Sequence, residues 1–223
     1  MRRTDPAVRF SLSLRCYSFH TAGKEDKDSY TDKVILPNEA FRYVQLNQVP
    51  FPLYFKVANC RRSKAGVKAD QQPVQYCGVL EFSAPEEHCY LPFWMMENIG
   101  VKEGGKVKVT SVAAMPPGTH CVFQPHDIAF VDVLKEMGPK HFLESSLRHY
   151  SVLRQGNRIV VSWNGVAYSL DVAHTKPTTS ISILGNVDLD VEFQPAKNAP
   201  AGEKEGKLSI NSAAQLDGGG GGG

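Results

Sequence analysis

Five cysteines and seven histidines are the first residues of this 223-residue chain that could do chemistry. The cysteines stand at 16, 60, 77, 89 and 121. A nucleophilic cysteine needs a base within hydrogen-bond reach and an orienting third group. Cys89, set between His88 and Tyr90, is the candidate for that role, and a thiol hydrolase is the activity it would support. The competing reading is of reduced, buried thiols, because the number is odd and no C-x-x-C pair occurs. Zinc asks for clustered ligands, and the adjacent His88 and Cys89 would point to opposite faces of a strand.

Carboxylates offer two further surfaces. Asp188, Asp190 and Glu192 are spaced two apart, which places them on one face of a strand. Acid–base catalysis uses carboxylates whose environments push their pKa values apart. A repeated acidic row instead suits solvent or a basic partner. Glu86 and Glu87, close to Tyr90, form the second acidic surface. Gly104-Gly105-Lys106 imitates the end of a phosphate loop, but a strand pattern follows it rather than a helix whose N-terminus could hold an anion. The motifs of Rossmann folds, α/β-hydrolases and zinc proteases are absent.

The elements that must position these residues are mainly strands. Phe10, Leu12, Leu14 and Cys16 alternate with polar residues, and so do Leu53, Phe55 and Val57. Between them, Val34 to Leu36 is a short strand, and Asn38 is placed to cap a helix carrying Ala40, Phe41 and Val44. The stretch Cys77 to Met96 reads as an apolar strand through Val79, Leu80 and Phe82, then a turn at Pro85-Glu86-Glu87, a second strand at Tyr90-Leu91, and a helix from Phe93 to Ile99. Phe82, Leu91 and Trp94 are its expected core residues. Val107, Val109 and Ser111 mark another strand.

Met115-Pro116-Pro117-Gly118 is the expected internal boundary, since proline fixes φ and removes a donor. Beyond it come a strand at His120 to Gln124 and a helix from Pro139 to about Tyr150, with Phe142, Leu143, Leu147 and Tyr150 inward. A hairpin turns on Asn164-Gly165. The last strand sets Val187, Leu189, Val191 and Phe193 inward and the acidic row outward. Trp163, like Trp94, is expected in the core. The organisation is a loose start over 1–9, a mostly β unit over 10–115, a smaller α+β unit over 118–195, and a flexible tail over 196–223.

Several function classes lose support from composition. Net charge is +2, from 25 basic and 23 acidic residues, so nucleic acid is not demanded as a partner. The basic segment 60–73, CRRSKAGVKADQQP, is the one place a nucleic-acid module could use, and it carries no interleaved aromatic residue. No apolar run approaches the length of a membrane span, and the start of the chain lacks the apolar core of a signal peptide.

CGVLEF, CYLPFWMMENI and EGGKVKV, followed by FLESSLRHYSVL and HTKPTTSISILGNVDLDVEF, resemble the N-terminal domain of the ubiquitin fusion degradation protein 1 family from about Arg15 to Pro195. That resemblance implies a double-psi β-barrel followed by a smaller mixed α/β subdomain. It also implies a non-catalytic, cofactor-free adaptor that binds ubiquitin and polyubiquitin. With a nuclear protein localisation 4 partner, engaged by a downstream segment, such an adaptor delivers substrates to the valosin-containing AAA+ unfoldase. The implied setting is the cytoplasm and nucleus, with recruitment to the ER surface. The family's F-x-G-x-G unfoldase-docking motif has no match in the tail, which offers only Leu216-Asp217-Gly218. Ubiquitin presents an apolar patch ringed by basic residues, so the expected contacts are Glu86, Glu87 and Tyr90, or Asp188, Asp190 and Glu192.

Overall fold

A computed structural model describes residues 10–24, 29–61, 73–185, 187–200 and 214–215. It divides into two compact units, 1–115 and 116–223.

The first unit is a closed six-stranded barrel in the order β1-β5-β2-β4-β3-β6. Its strands are β1 (Ser11–Ser18), β2 (Lys33–Pro37), β3 (Tyr54–Asn59), β4 (Val74–Ala84), β5 (His88–Leu91) and β6 (Gly105–Val112). Two pairings are parallel, β1 with β5 and β2 with β4, and the rest are antiparallel. This is the mixed closed barrel of the double-psi type. Closure removes free sheet edges, so backbone donors find partners around the whole ring. Leu14, Cys16, Val34, Phe55, Val57, Cys77, Cys89, Leu91, Val107 and Val109 are buried in this unit.

Two short helices accompany the barrel, α1 (Asn38–Leu46) and α2 (Phe93–Asn98). Asn38 does not cap α1. The cap position falls on Pro37, which makes no side-chain capping bond, and Asn38 is the first helical residue. The proline ends β2 and already has the φ that helix entry requires. Pro92 plays the same part before α2. Trp94 is buried, and its indole N–H donates to the Ser29 carbonyl at 2.9 Å.

The expected core role of Phe82 is corrected. Leu91 and Trp94 are buried, but Phe82 is only half-buried and packs on Phe41, with ring centroids 5.1 Å apart. The cause is a break in register. Val34 pairs with Val79 while Ile35 pairs with Glu81, which leaves Leu80 as an extra residue. A bulge of this kind turns the following side chains out of simple alternation, and Leu80 is 49% exposed.

The second unit holds a five-stranded sheet ordered β13-β12-β7-β10-β9 and a two-stranded sheet, β11-β8. The strands are β7 (His120–Pro125), β8 (Val152–Arg154), β9 (Arg158–Trp163), β10 (Val166–Lys176), β11 (Ser180–Ser182), β12 (Asp188–Phe193) and β13 (Ala214–Gln215). Asn164 and Gly165, with φ of 47° and 78°, make the β9–β10 turn, as the two left-handed residues of a type I′ hairpin require. The apolar stretch after Asp127 forms a helix of its own, α3 (Ala129–Met137), and α4 (Pro139–Leu147) follows directly. Phe130 of α3 packs on Phe193 and Tyr168, so this helix covers the apolar face of the sheet. Leu147 and Tyr150 are buried, and the Tyr150 hydroxyl donates to the Val160 carbonyl. The side chains of Phe142 and Leu143 lie outside the described residues.

Two further expectations change. Trp163 is half-buried rather than in the core, because it stands at the hairpin end of β9. The segment just past Pro195 is also not loose. Ala196 and Ala199 are buried, the Lys197 amide donates to the Pro125 carbonyl at 2.9 Å, and Asn198 accepts from the Ile128 amide at 2.8 Å. Small apolar residues there close over the sheet, a contact that composition alone does not announce. Ala214 and Gln215 pair with Leu189 and Asp188; residues 201–213 and 216–223 of the expected tail, and 1–9 of the expected loose start, lie outside the described residues.

Lys197 also reaches Asp171 at 2.5 Å, and His126 contacts the same carboxylate at 2.6 Å. Desolvation by itself would raise the Asp171 pKa, but the hydrogen bonds from Lys197 and His126 outweigh it and hold the carboxyl below its ordinary value. A depressed folded pKa contributes stability that is present above the unfolded value, about 4, and is lost as pH falls through the folded value. Asp171→Asn should therefore cost under about 1 kcal/mol at pH 7, given solvent screening, and should flatten the decline in stability below about pH 4. Urea unfolding at neutral and acid pH measures both effects.

Gly105 gives the second test. A Cβ there would lie 2.6 Å from Val101 Cγ2 and 2.8 Å from the Lys102 carbonyl oxygen. Backbone cannot swing aside as a side chain can, so Gly105→Ala should destabilise the barrel by about 1–3 kcal/mol. Unfolding followed through Trp94 in a Trp163→Phe background reads that loss.

Candidate functional site

The acidic turn at Glu86 and Glu87 is held from several sides. The His88 amide donates to the Pro85 carbonyl at 3.1 Å, which closes a four-residue turn. Glu87 sits at φ 61°, in the left-handed region that such a turn asks of its third residue. Its carbonyl accepts from the Arg15 amide at 2.7 Å, just ahead of the parallel β1–β5 ladder. The His88 ring Nδ1 lies 2.6 Å from the Glu86 carbonyl. A carbonyl only accepts, so Nδ1 carries the proton. Both glutamate side chains are exposed.

Tyr90 stands beside this turn. It is half-buried and packs against Phe19, Ile35 and Ala84. The β1–β5 register sets Tyr17 opposite Tyr90 and Arg15 opposite His88. Tyr17 stacks on the His88 ring, with centroids 5.3 Å apart and planes 23° from parallel, and lies 6.3 Å from Tyr90. The result is an aromatic strip, His88–Tyr17–Tyr90, rimmed by Glu86 and Glu87. Tyr17 and His88 were not among the expected site residues. They join the patch only through a parallel pairing between segments some seventy positions apart, which no local pattern encodes.

On the opposite parity of the same two strands, Cys16 faces Cys89, and both are fully buried. The Cys89 thiol is pushed up well above its ordinary pKa, first by its hydrogen bond with Cys16 and then by desolvation. A nucleophilic cysteine needs the reverse, an accessible thiolate stabilised by positive charge. Cys77 is raised as well, chiefly by burial. The thiol-hydrolase reading of Cys89 is therefore corrected: this side chain packs the barrel interior.

In the second unit, the expected alternation of β12 is present. Val187, Leu189, Val191 and Phe193 are buried, while Asp188 is exposed and Asp190 and Glu192 are half-buried. The outer row is not a plain solvated face. β12 runs parallel to β7 with Asp190 opposite His120 and Glu192 opposite Val122. Asp190 Oδ2 lies 3.1 Å from His120 Nδ1. One ligand atom from each of His120, Asp190 and Glu192 falls within 4.8 Å of the others, a donor set able to hold a metal ion. The His174 ring stands edge-on to His120, with centroids 6.4 Å apart. His120 alternates in sequence with the buried Cys121 and Phe123, which places it on the outer face, but its partner strand could not be read in advance.

Cys60 and Arg61, the described start of the basic segment 60–73, line an open groove with Lys102 and Lys106. Residues 62–72 lie outside the described residues. Gly105 begins β6, so the phosphate-loop look-alike at Gly104-Gly105-Lys106 leads into a strand.

Comparison with known proteins matches residues 10–115 to the family model "Ubiquitin fusion degradation protein UFD1, N-terminal subdomain 1" and residues 117–196 to its "N-terminal subdomain 2". The chain is 34% identical over 213 residues to the mouse (Mus musculus) "Ubiquitin recognition factor in ER-associated degradation protein 1", covering 94% of this chain and 64% of that protein. It is 33% identical over 175 residues to the Caenorhabditis elegans "Ubiquitin fusion degradation protein 1 homolog", covering 78% and 47%. Against the Saccharomyces cerevisiae "Ubiquitin fusion degradation protein 1" it is 28% identical over 191 residues, covering 83% and 49%. The chain thus spans just under two thirds of the mouse relative and about half of the other two. With both subdomain models matched in order across the barrel and the mixed α/β unit, the chain belongs to the ubiquitin fusion degradation protein UFD1 family.

Proposed function

We propose that this chain is a non-catalytic adaptor module that binds ubiquitin and polyubiquitin, and that ubiquitin docks on the aromatic strip rimmed by Glu86 and Glu87. The observation that carries the reading is the exposure of two acidic side chains on a turn fixed by its own hydrogen bonds, directly beside Tyr17, His88 and Tyr90. An apolar patch ringed by basic residues finds there both an apolar counterpart and opposite charge. A preorganised turn also avoids the entropy loss of ordering a loop on binding. The name of the mouse relative, a ubiquitin recognition factor, supports the same direction.

The family resemblance extends the proposal. The module would hand ubiquitylated substrates to the valosin-containing AAA+ unfoldase for proteasomal or ER-associated degradation, together with a nuclear protein localisation 4 partner bound through a downstream segment. It would act in the cytoplasm and nucleus and be recruited to the ER surface. Among the described residues no helix is long and apolar enough to cross a membrane. Asp188, Asp190 and Glu192 are the alternative surface, and it is the less favoured one because the Asp190 carboxylate already accepts a hydrogen bond from His120.

Titration of the labelled chain with mono- and polyubiquitin, followed residue by residue by NMR, tests the surface. Reversal of charge at Glu86 and Glu87 to lysine should weaken binding about three- to tenfold, about 0.7–1.4 kcal/mol, with the rest of the spectrum unchanged. Weakening confined to reversal at Asp188 and Asp190 would move the site to β12, and an unaltered affinity in both pairs would remove both surfaces. A ubiquitin-derived thiol probe should leave Cys89 unlabelled; labelling lost in Cys89→Ser would restore the hydrolase reading.

A further inference from the structure

We infer that His120, Asp190 and Glu192 form a surface site for a divalent transition-metal ion of the zinc type. The inference stands apart from ubiquitin binding and does not rest on it.

The backbone brings these residues together. β7 and β12 run side by side, so Asp190 is directly opposite His120 and Glu192 is one outward-facing position further along. Residues two apart on a strand normally hold their side chains about 7 Å from one another. Here a carboxylate oxygen of Asp190 and one of Glu192 lie within 4.8 Å of each other and of a ring nitrogen of His120. Two carboxylates brought this close repel, and a bound cation relieves that repulsion. His120 is the third corner of the group, with its Nδ1 3.1 Å from Asp190 Oδ2. That separation is close to the about 3.4 Å between neighbouring ligand atoms around a tetrahedral ion with bonds of about 2.1 Å. Small rotamer changes at Glu192 complete the approach.

The donor set selects the ion. One imidazole with two carboxylates suits zinc and its neighbours, whereas calcium and magnesium favour sites built from oxygen alone. In the free chain the His120 Nδ1–H donates to Asp190; on metal binding that proton is released to solvent, the Nδ1 lone pair turns to the ion, and the ring's remaining proton sits on Nε2. His174 extends the same face, since it pairs with Val122 across β10 while Glu192 pairs with Val122 across β12. Its ring lies near enough to steer His120 or to join the ion after a rotamer change. Lys176 is opposite His120 in β10. The half-buried setting of the three ligands leaves the ion open to solvent on one side, so water completes its coordination.

The test uses the untagged 223-residue chain and two probes, Zn2+ by calorimetry and Co2+ by absorption and paramagnetic NMR. One ion should bind per chain, reversibly with chelator. The Co2+ spectrum should lack thiolate charge transfer, which separates the site from the cysteines. Signals of His120, Asp190 and Glu192 should be the first to broaden. His120→Ala, Asp190→Asn and Glu192→Gln should each weaken binding at least tenfold, and His174→Ala less. Absence of binding at neutral pH, or affinity unchanged in the three ligand variants, would overturn the assignment. Glu192→Gln keeps shape and hydrogen-bonding capacity, so it decides the matter if His120→Ala does not fold. Because no ubiquitin is present, the outcome is independent of where ubiquitin docks.

Discussion

Cys16 lies against Cys89 across the parallel pairing of β1 with β5, and the first unit depends on that pairing. β1 is bound on its other side by β6, so it is the strand through which the ring closes. The inward parity of the pair supplies buried sulfur and leucine, and the outward parity supplies Tyr17, His88 and Tyr90. One register thus sets both the packing of the interior and the make-up of the outer, half-buried strip. Because side chains alternate with a period of two, a slip by one residue would put the tyrosines inside and the thiols in water. On its β6 side, β1 is held by Glu103, both of whose carboxylate oxygens lie 3.1 Å from the Ser18 amide, and by the Gly104 amide, which donates to the Cys16 carbonyl at 2.8 Å.

That constraint explains why Cys16, Cys77 and Cys89 are poorly placed to act as nucleophiles, whereas Cys60, beyond the end of β3, is exposed. A closed barrel leaves its interior dry, and desolvation opposes the thiolate. Cys16, Cys77 and Cys89 are all fully buried, so small size and weak polarity are the properties the fold uses. In the second unit, Cys121 on β7 is raised by burial alone, on the face opposite His120. Tyr17, His88, Tyr90, His120, Asp190 and Glu192 lie on the outward parity of strands whose inward parity fills the core.

Local grammar was readable wherever one segment carried the whole pattern. Alternation over Val187 to Phe193, the Asn164-Gly165 turn and the helix after Pro92 are each dictated by near neighbours, and each is present. What could not be read depended on distant partners. The bulge that ejects Leu80 arises from the pairing of β4 with β2. The partnership of His120 with Asp190 arises from the parallel pairing of β7 with β12. Asn38 misled because a good capping residue stood one place after a proline that already sets the helix entry. The candidate site was half legible for the same reason. Glu86, Glu87 and Tyr90 lie within five residues of one another, whereas Tyr17 reaches them only across the barrel seam.

Ubiquitin docking on the strip that this seam creates is the central claim, and hydrogen–deuterium exchange with and without polyubiquitin tests it most directly. Slowed exchange should appear in the peptides covering residues 15–18 and 85–91 together, since the two strands present one surface, while the peptides covering 188–193 should be unaffected. Protection limited to 188–193, or no protection in either strand of the β1–β5 pair, would contradict it.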